Sequence, residues 1–535
     1  MALTTSTTTT GAPARLMKHS RLSVILLAVP AVLLYCTSLH YAPIYLMHDE
    51  VIYALTARSI ALTGRDLNGE FLPALFHIIN RYGSYYVTPM VIYSTALFLR
   101  VLPFTDAVIR MPSALIGVAD VVLTYLVAIR IFKRESLALA AAALLALTPA
   151  HFIHARIASD LIYPVPLALG WLLCLATFVD EDRPWMLFAS TSILGIGMFS
   201  YLASVGTMPI FAVLTLLVLA AYRKPALAYG VSAAGFAWPL AALAVWLALH
   251  HAQYAELLRL YPVYESGGVN PVRGLLRLLA YFNFSVRINT YYEFFNPAFL
   301  FFSGDASILS STRQAGVFLY PLFVLLPIGI YRIVTVDQPP IRRLVLAAFL
   351  LSPVPAVLLL DVTIHRALVM LPLGVLIATC GLEWLWVRQG GYRAAGVFLL
   401  ALVLVLFVQF HRDYMSGYRA RSSFWFGRDM RGAFAQVLAR ERPGVAAPIY
   451  LSQNILWIDS YWRMYLIQSG REDLLERTVY FDPKALDVSV LPAGTAIIAD
   501  SDDAAVNEPV KQGSLRRLAM VSEPDGTPSF VVAER

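Results

Sequence analysis

Charge is what this 535-residue chain has least of. Asp, Glu, Lys and Arg together make up 14% of it, against about 25% in soluble domains. Hydrophobic residues fill 59%. An ordinary soluble protein is excluded, and a polytopic helical membrane protein remains, because long apolar stretches must satisfy their backbones internally. Cysteine is scarce as well: Cys36, Cys174 and Cys380 each lie in an apolar run, which excludes a disulfide framework and a CxxC metal pair. Of the 41 basic residues only five are lysine and 36 are arginine. Arginine suits bidentate contact with phosphate, and codon bias would leave the same composition. The net charge of +7 is scattered between apolar runs instead of forming the basic cluster of a nucleic-acid binder. No Walker A, HExxH or GxSxG motif is present, which argues against an ATP-driven transporter, a zinc protease and a serine hydrolase of the nucleophile-elbow type.

What is there is a succession of apolar runs. A Thr-rich segment, residues 1–14, is expected to be disordered and leads the cytoplasmic N-terminus, 1–20. Eleven runs of spanning or near-spanning length follow, near 22–39, 112–130, 137–150, 161–179, 185–201, 203–221, 227–249, 315–333, 344–360, 366–387 and 393–410. The first lacks a small-residue cleavage site and reads as a retained span. Five basic groups punctuate the runs: Arg15, Lys18 and Arg21; Arg130, Lys133 and Arg134; Arg223 and Lys224; Arg332, Arg342 and Arg343; Arg388 and Arg393. All five fall on one side, the cytoplasm, if the eleven runs cross and a twelfth, 88–103, does not. The segment 88–103 is therefore predicted to be re-entrant or to lie against the outer face.

This parity assigns a membrane domain to 21–410, with outer loops 40–111 and 250–314, a short outer loop 151–160 and an outer turn 361–365. The tail, 411–535, is less apolar. Arg428–Arg440 has helical character and Ile449–Ser452, Thr478–Phe481, Ala496–Ala499 and Ser529–Val532 read as strands. The fold expected is all-α and polytopic, with about 11–13 transmembrane helices and a small extracytoplasmic α/β domain.

Acids and arginines gather at the outer ends of the spans. His48-Asp49-Glu50 follows the first span and opens a helical stretch ending at Gly64. A carboxylate there can cap the helix or serve as a general base in a partly dry cleft. His154-Ala-Arg156-Ile-Ala-Ser-Asp160 opens the span at 161, and His365-Arg366 the span at 366. The first either anchors the span at the interface or puts Asp160 to use on the face that carries Asp49; the second either snorkels to lipid headgroups or clamps a phosphate leaving group. Further outer-face arginines are Arg58, Arg65, Arg81, Arg110, Arg259, Arg273, Arg277, Arg287 and Arg313. Most suit lipid headgroups, and one or two lining a cleft would bind an anionic lipid. His151 and His154 have near-ligand spacing but no third partner, so no metal site is predicted.

Several of these segments resemble one family. Asp49-Glu50-Val-Ile-Tyr53-Ala54, Thr63-Gly64-Arg65-Asp66 and Gly69-Glu-Phe-Leu-Pro73 resemble the first outer loop of GT-C glycosyltransferases, in the branch containing protein O-mannosyltransferases and the lipid A aminoarabinose transferase. Arg110-Met-Pro112-Ser113 through Arg130-Ile-Phe132, Arg156-Ile-Ala-Ser-Asp160, His365-Arg366 with Pro372, and Tyr414 through Phe426-Gly427 are similar to later elements of that family, in order, over most of 22–430. The resemblance implies an inverting transfer of a sugar from a polyprenyl-phosphate donor to an acceptor hydroxyl or phosphate of a lipid, protein or glycan outside the cytoplasm. It implies Asp49 as general base, Glu50 as the residue that orients site or acceptor, and Asp160 as a second acid near the donor. Arg58, Arg81, Tyr85, Arg156, His365 and Arg366 would bind substrate. Related enzymes often carry Lys-Pro-Pro where this chain has Arg81-Tyr82-Gly83-Ser84-Tyr85; the lysine's phosphate contact passes to Arg81, or the donor is held differently. No cofactor is predicted, a divalent metal being left open, and the location implied is the bacterial inner membrane with the site facing the periplasm. The competing readings are a lipid-linked-sugar flippase, a GT-C-like polymerase or ligase, and an inactive scaffold.

Overall fold

The computed structural model describes residues 12–250, 276–277, 279–388, 390–441 and 447–535. The Thr-rich start, Arg259 and Arg273 lie outside them. All eleven apolar runs are helical over most of their length. Among the described residues, seven helical segments are long and apolar enough to cross a membrane: Asp106–Phe132, Asp160–Glu181, Ser204–Ala221, Ala226–Leu249, Pro340–Leu358, Met370–Val387 and Gly391–Met415. An eighth forms if Glu135–Ala146 and Pro149–Ala155, bent by 63°, are one span. Leu22–Cys36 is the apolar part of the 25-residue helix Ala12–Cys36. Pro184–Gly197 and Pro321–Thr335 are apolar but shorter. Pro and Gly interrupt several of the remaining runs. Pro149 cannot donate to the preceding turn and breaks the run 137–150. The run 185–201 stops being helical at Gly197, and Tyr201 lies in the turn beyond it.

The leading helices are α1 (Ala12–Cys36), α2 (His48–Thr63), α3 (Pro89–Leu99), α4 (Asp106–Phe132), α5 (Glu135–Ala146), α6 (Pro149–Ala155) and α7 (Pro164–Glu181). α3 has 11 residues, about 16 Å of helix against the ~30 Å of hydrocarbon that a span must bridge. It is too short to cross and packs on α2 and α4. Before it stands an unforeseen hairpin, β1 (Phe76–Asn80) and β2 (Gly83–Val87), closed by Arg81 and Tyr82.

The basic groups whose side chains are described meet at one end of the bundle. Arg130 Nη1 lies 2.7 Å from Glu181 Oε1, and Lys133 pairs with Asp180. Lys224 pairs with Asp182, and Arg342 stands 4.9 Å from the Phe132 ring. Arg332, Arg342 and Arg388 line one pocket. Exposed pairs like these contribute little stability, about 0–1 kcal/mol each, but they fix which helix ends are neighbours.

The tail forms a five-stranded mixed sheet in the order β4-β3-β5-β7-β6, from β3 (Ile449–Ser452), β4 (Thr478–Phe481), β5 (Ala496–Asp500), β6 (Arg516–Ser522) and β7 (Pro528–Glu534). β3 pairs in parallel with β4 and β5, and the β5-β7-β6 half is antiparallel. The four expected strands are all present; β6 is an edge strand whose two leading arginines and exposed residues hide it from an apolar-run reading. Helices Met430–Leu438 and Ile458–Ser469 bury Phe434 and Trp462 against the sheet. The domain docks on the first outer loop: Tyr461 Oη donates to the Leu46 carbonyl at 2.8 Å, and Met464 packs with Leu46, Val51, Leu55 and Ile109.

Candidate active site

The site begins with two adjacent carboxylates that go separate ways. Neighbours on a helix point about 100° apart, so the first turn of α2 sends Glu50 inward and Asp49 outward. Glu50 is fully buried and does the capping, accepting the Met47 N–H at 3.0 Å. It also accepts the Ala158 N–H at 2.9 Å and a two-pronged ion pair from Arg110, at 2.8 and 3.0 Å. Arg110 spends its other donors on the carbonyls of Leu39, Pro43 and Tyr45. Arg156, equally buried, donates to the carbonyls of Tyr35, Thr37, Ser38 and Ala42 at 2.8–3.0 Å. The last carbonyls of a helix have no partner within it. Arg156 supplies Tyr35 in the last turn of α1, and the two guanidinium forks together satisfy carbonyls of the segment 37–45, holding the turn that presents α2.

Asp49 is left to face a cavity of about 310 Å³, shared with Tyr53, Tyr85, His154, Asp160, Tyr201, Ser307, Ser310, His365 and Arg366. Its Oδ1 lies 3.0 Å from His48 Nε2. Burial works against a charge on His48, but Asp49 outweighs it and raises the imidazole above its ordinary value. The His48 ring stacks on Trp457 of the C-terminal domain, centroids 5.0 Å apart. Asp160 heads a short 3-10 turn before α7. Thr88 Oγ1 donates to its Oδ2 at 3.1 Å and Ser159 Oγ to its Oδ1 at 3.3 Å.

The opposite wall comes from the turn 361–366. Arg366 pairs through Nε with Asp361 and donates to Tyr201 Oη at 3.3 Å. Burial would raise the Asp361 carboxyl, yet Arg366 holds it below the usual range. Burial, helped by His154 and Arg366, pushes His365 down to about 3, so it is neutral. Its two ring nitrogens lie 3.4 Å from Ser310 Oγ and 3.3 Å from Thr363 Oγ1. Asp305 fastens this turn to the outer loop by accepting the Ile364 and Ser307 N–H groups, each at 2.7 Å.

Of the residues singled out in the sequence, Asp49, Tyr85, Asp160, His365 and Arg366 line the cavity. Glu50 and Arg156 stand behind it. Two lie elsewhere. Arg58 reaches Glu472 at 3.5 Å, and Arg81, at the hairpin tip, donates to the Gln453 carbonyl at 2.6 Å. Arg81 does not line the cavity in this structure. Sequence reasoning missed Tyr201, Ser307 and Ser310, which carry no motif; it quoted Tyr53 and His154 within longer motifs but assigned neither a role in binding substrate. Among the described residues no three His, Cys, Asp or Glu groups cluster as metal ligands would.

Residues 86–250 match the family model described as dolichyl-phosphate-mannose-protein mannosyltransferase. No curated protein matches the chain. Among solved structures, ArnT from Cupriavidus metallidurans bound to undecaprenyl phosphate is 13% identical and superposes with a TM-score of 0.52, covering 95% of this chain and 97% of that one. Its apo state gives 14% identity and a TM-score of 0.53 over 96% and 98%. The archaeal oligosaccharyltransferase AglB from Archaeoglobus fulgidus, in complex with an inhibitory peptide and a dolichol-phosphate, gives 13% and 0.50, over 90% of this chain and 69% of that one. At such identities the structural likeness is one of fold.

Proposed function

We propose that this chain is a glycosyltransferase of the GT-C type that uses polyprenyl-phosphate sugars, a reading supported by the match of residues 86–250 to the mannosyltransferase family model. It moves a sugar from a polyprenyl-phosphate donor to an acceptor hydroxyl in a single inverting displacement. The observation that carries this reading is one cavity that gathers Asp49, Asp160 and Arg366 from three distant parts of the chain.

A lipid phosphate leaves well once its charge is countered. Arg366, half-buried and now paired with Asp361, would take the phosphate oxygens as the donor enters, with neutral His365 beside it. Asp49, paired with His48 across the cavity, would take the acceptor proton. The acceptor oxygen then bonds to the anomeric carbon as the bond from that carbon to the phosphate oxygen breaks. The sugar inverts, polyprenyl monophosphate departs, and the proton rests on Asp49. Asp160, held by Thr88 and Ser159, would orient the sugar. Lipid, protein and glycan acceptors all fit this chemistry.

The basic groups collect at the far end of the bundle, so the positive-inside rule turns that end to the cytoplasm. The cavity and the C-terminal domain then face outward, toward the periplasm of a bacterial inner membrane. The test is purified protein in detergent with a panel of radiolabelled polyprenyl-phosphate sugars and a membrane-lipid extract. Wild type should transfer one of the sugars, and Asp49→Asn should lose at least ~100-fold, the scale of general-base catalysis. Transfer unaffected by Asp49→Asn would remove the base from this position.

A further inference from the structure

Among the polar groups of the cavity wall that the mechanism above does not use, the imidazole of His154 stands out. His154 ends α6 and is 2% exposed. Its Nδ1 lies 2.7 Å from the Ala150 carbonyl. A carbonyl only accepts, so Nδ1 holds the proton, and in a neutral ring Nε2 is then a bare acceptor. That Nε2 is buried and has no hydrogen-bond partner in the protein, while His154 lines the cavity.

Its neighbours show that this is unusual. His151, one turn earlier, engages both nitrogens, with Tyr35 Oη at 2.8 Å and Asp120 Oδ2 at 3.1 Å. His365 has a hydroxyl near each nitrogen. Of the three, only His154 keeps an acceptor unspent. A buried acceptor without a partner is costly, and a bound molecule that supplies a donor removes that cost.

We propose that His154 Nε2 is a specificity-determining acceptor for a hydroxyl of the donor sugar. The proposal rests on the glycosyltransferase reading. His154 is near enough to His365 to bias its charge, and His365 adjoins Arg366, the group placed against the donor phosphate. A ring hanging from that phosphate is therefore the part of the substrate that meets His154. A sugar with a free O–H at this position satisfies the nitrogen. A deoxy sugar, or one alkylated there, leaves it unpaired.

The experiment uses the full-length protein and, as probe, the polyprenyl-phosphate sugar that it transfers, together with each monodeoxy analogue of that sugar. Wild type should discriminate against one analogue by about 10–100-fold in kcat/KM, the scale of one unpaired buried acceptor. In His154→Phe that discrimination should fall to within about 3-fold while penalties at other positions stay, the signature of a direct coupling in a double-mutant cycle. His154→Gln, which offers a carbonyl oxygen, should restore part of it. The same penalties in wild type and His154→Phe would overturn the proposal and leave the glycosyltransferase reading intact. No transfer from any donor by wild type would overturn both. Should His154→Phe not fold, His154→Gln decides: an unchanged pattern there also overturns it.

Discussion

Two regions of this molecule are built from the same ingredients, an acid and an arginine at the outer end of the bundle, and they differ in what is left over. In the scaffold behind the cavity, Glu50 and Arg110 are sealed from solvent, and the nitrogens of Arg110 are spent on Glu50 and three carbonyls. Beside the cavity, Asp361 and Arg366 are half-buried, and Arg366 borders open space that a ligand can enter. A saturated pair holds structure, whereas an unsaturated one can exchange its partner for substrate. Spacing in the sequence does not distinguish them; burial and the fate of each donor do.

The largest expected effect is on the scaffold. Arg110→Met leaves Glu50 as an unpaired buried charge and should cost about 3–5 kcal/mol, as broken buried pairs do. Thermal unfolding in detergent would show it as a drop of many degrees. Arg366→Gln should barely change the unfolding temperature but weaken donor use by about 10–100-fold, the worth of a charge-assisted bond of roughly 1.5–3 kcal/mol. Equal stability losses in the two variants would dissolve the comparison.

A pH experiment sharpens it. His365 is pushed down to about 3 in the folded chain and returns to about 6.5 on unfolding. Between those values the unfolded state binds the extra proton, so stability rises with pH across this window and falls as the solution is acidified. The unfolding temperature of His365→Gln should therefore decline less steeply than wild type from pH 6.5 to 4. Equal slopes would mean that His365 is not held neutral. The smallest effect is expected at Arg58, which reaches Glu472 at 3.5 Å on a partly exposed surface. Arg58→Ala should stay within about 0.5 kcal/mol of wild type and transfer sugar at the same rate.

Much of this was legible in the sequence. The apolar runs became helices, and the basic groups gathered at one end because their periodic placement between spans leaves no other arrangement. The run 88–103 contains a helix too short to cross. The tail showed four of its five strands, and β6 escaped because an edge strand needs few apolar residues. In the site, Asp49, Asp160, His365 and Arg366 could be found because the order of the apolar runs puts all four on one face, in segments that resemble one family. The inward turn of Glu50 could not, since it depends on the side-chain direction of a single helical turn. The role of Arg156 was hidden for the same reason: five carbonyl oxygens of residues 34–42 converge on it only after folding. The place of Arg81, at the hairpin tip against the Gln453 carbonyl, could not be read either, because an arginine reads alike in sequence whether it faces the cavity or the C-terminal domain. Asp120 lies deep in α4, away from the cavity, with its Oδ2 on His151 Nε2.

The most direct measurement compares the two neighbouring carboxylates, reading sugar transfer and thermal unfolding on the same preparations of Asp49→Asn and Glu50→Gln. Asp49→Asn should lose at least ~100-fold in transfer with an unfolding temperature near that of wild type, while Glu50→Gln should unfold several degrees lower. An Asp49→Asn protein that transfers at the wild-type rate, or a Glu50→Gln protein that is equally stable yet inactive, would contradict the division of labour described here.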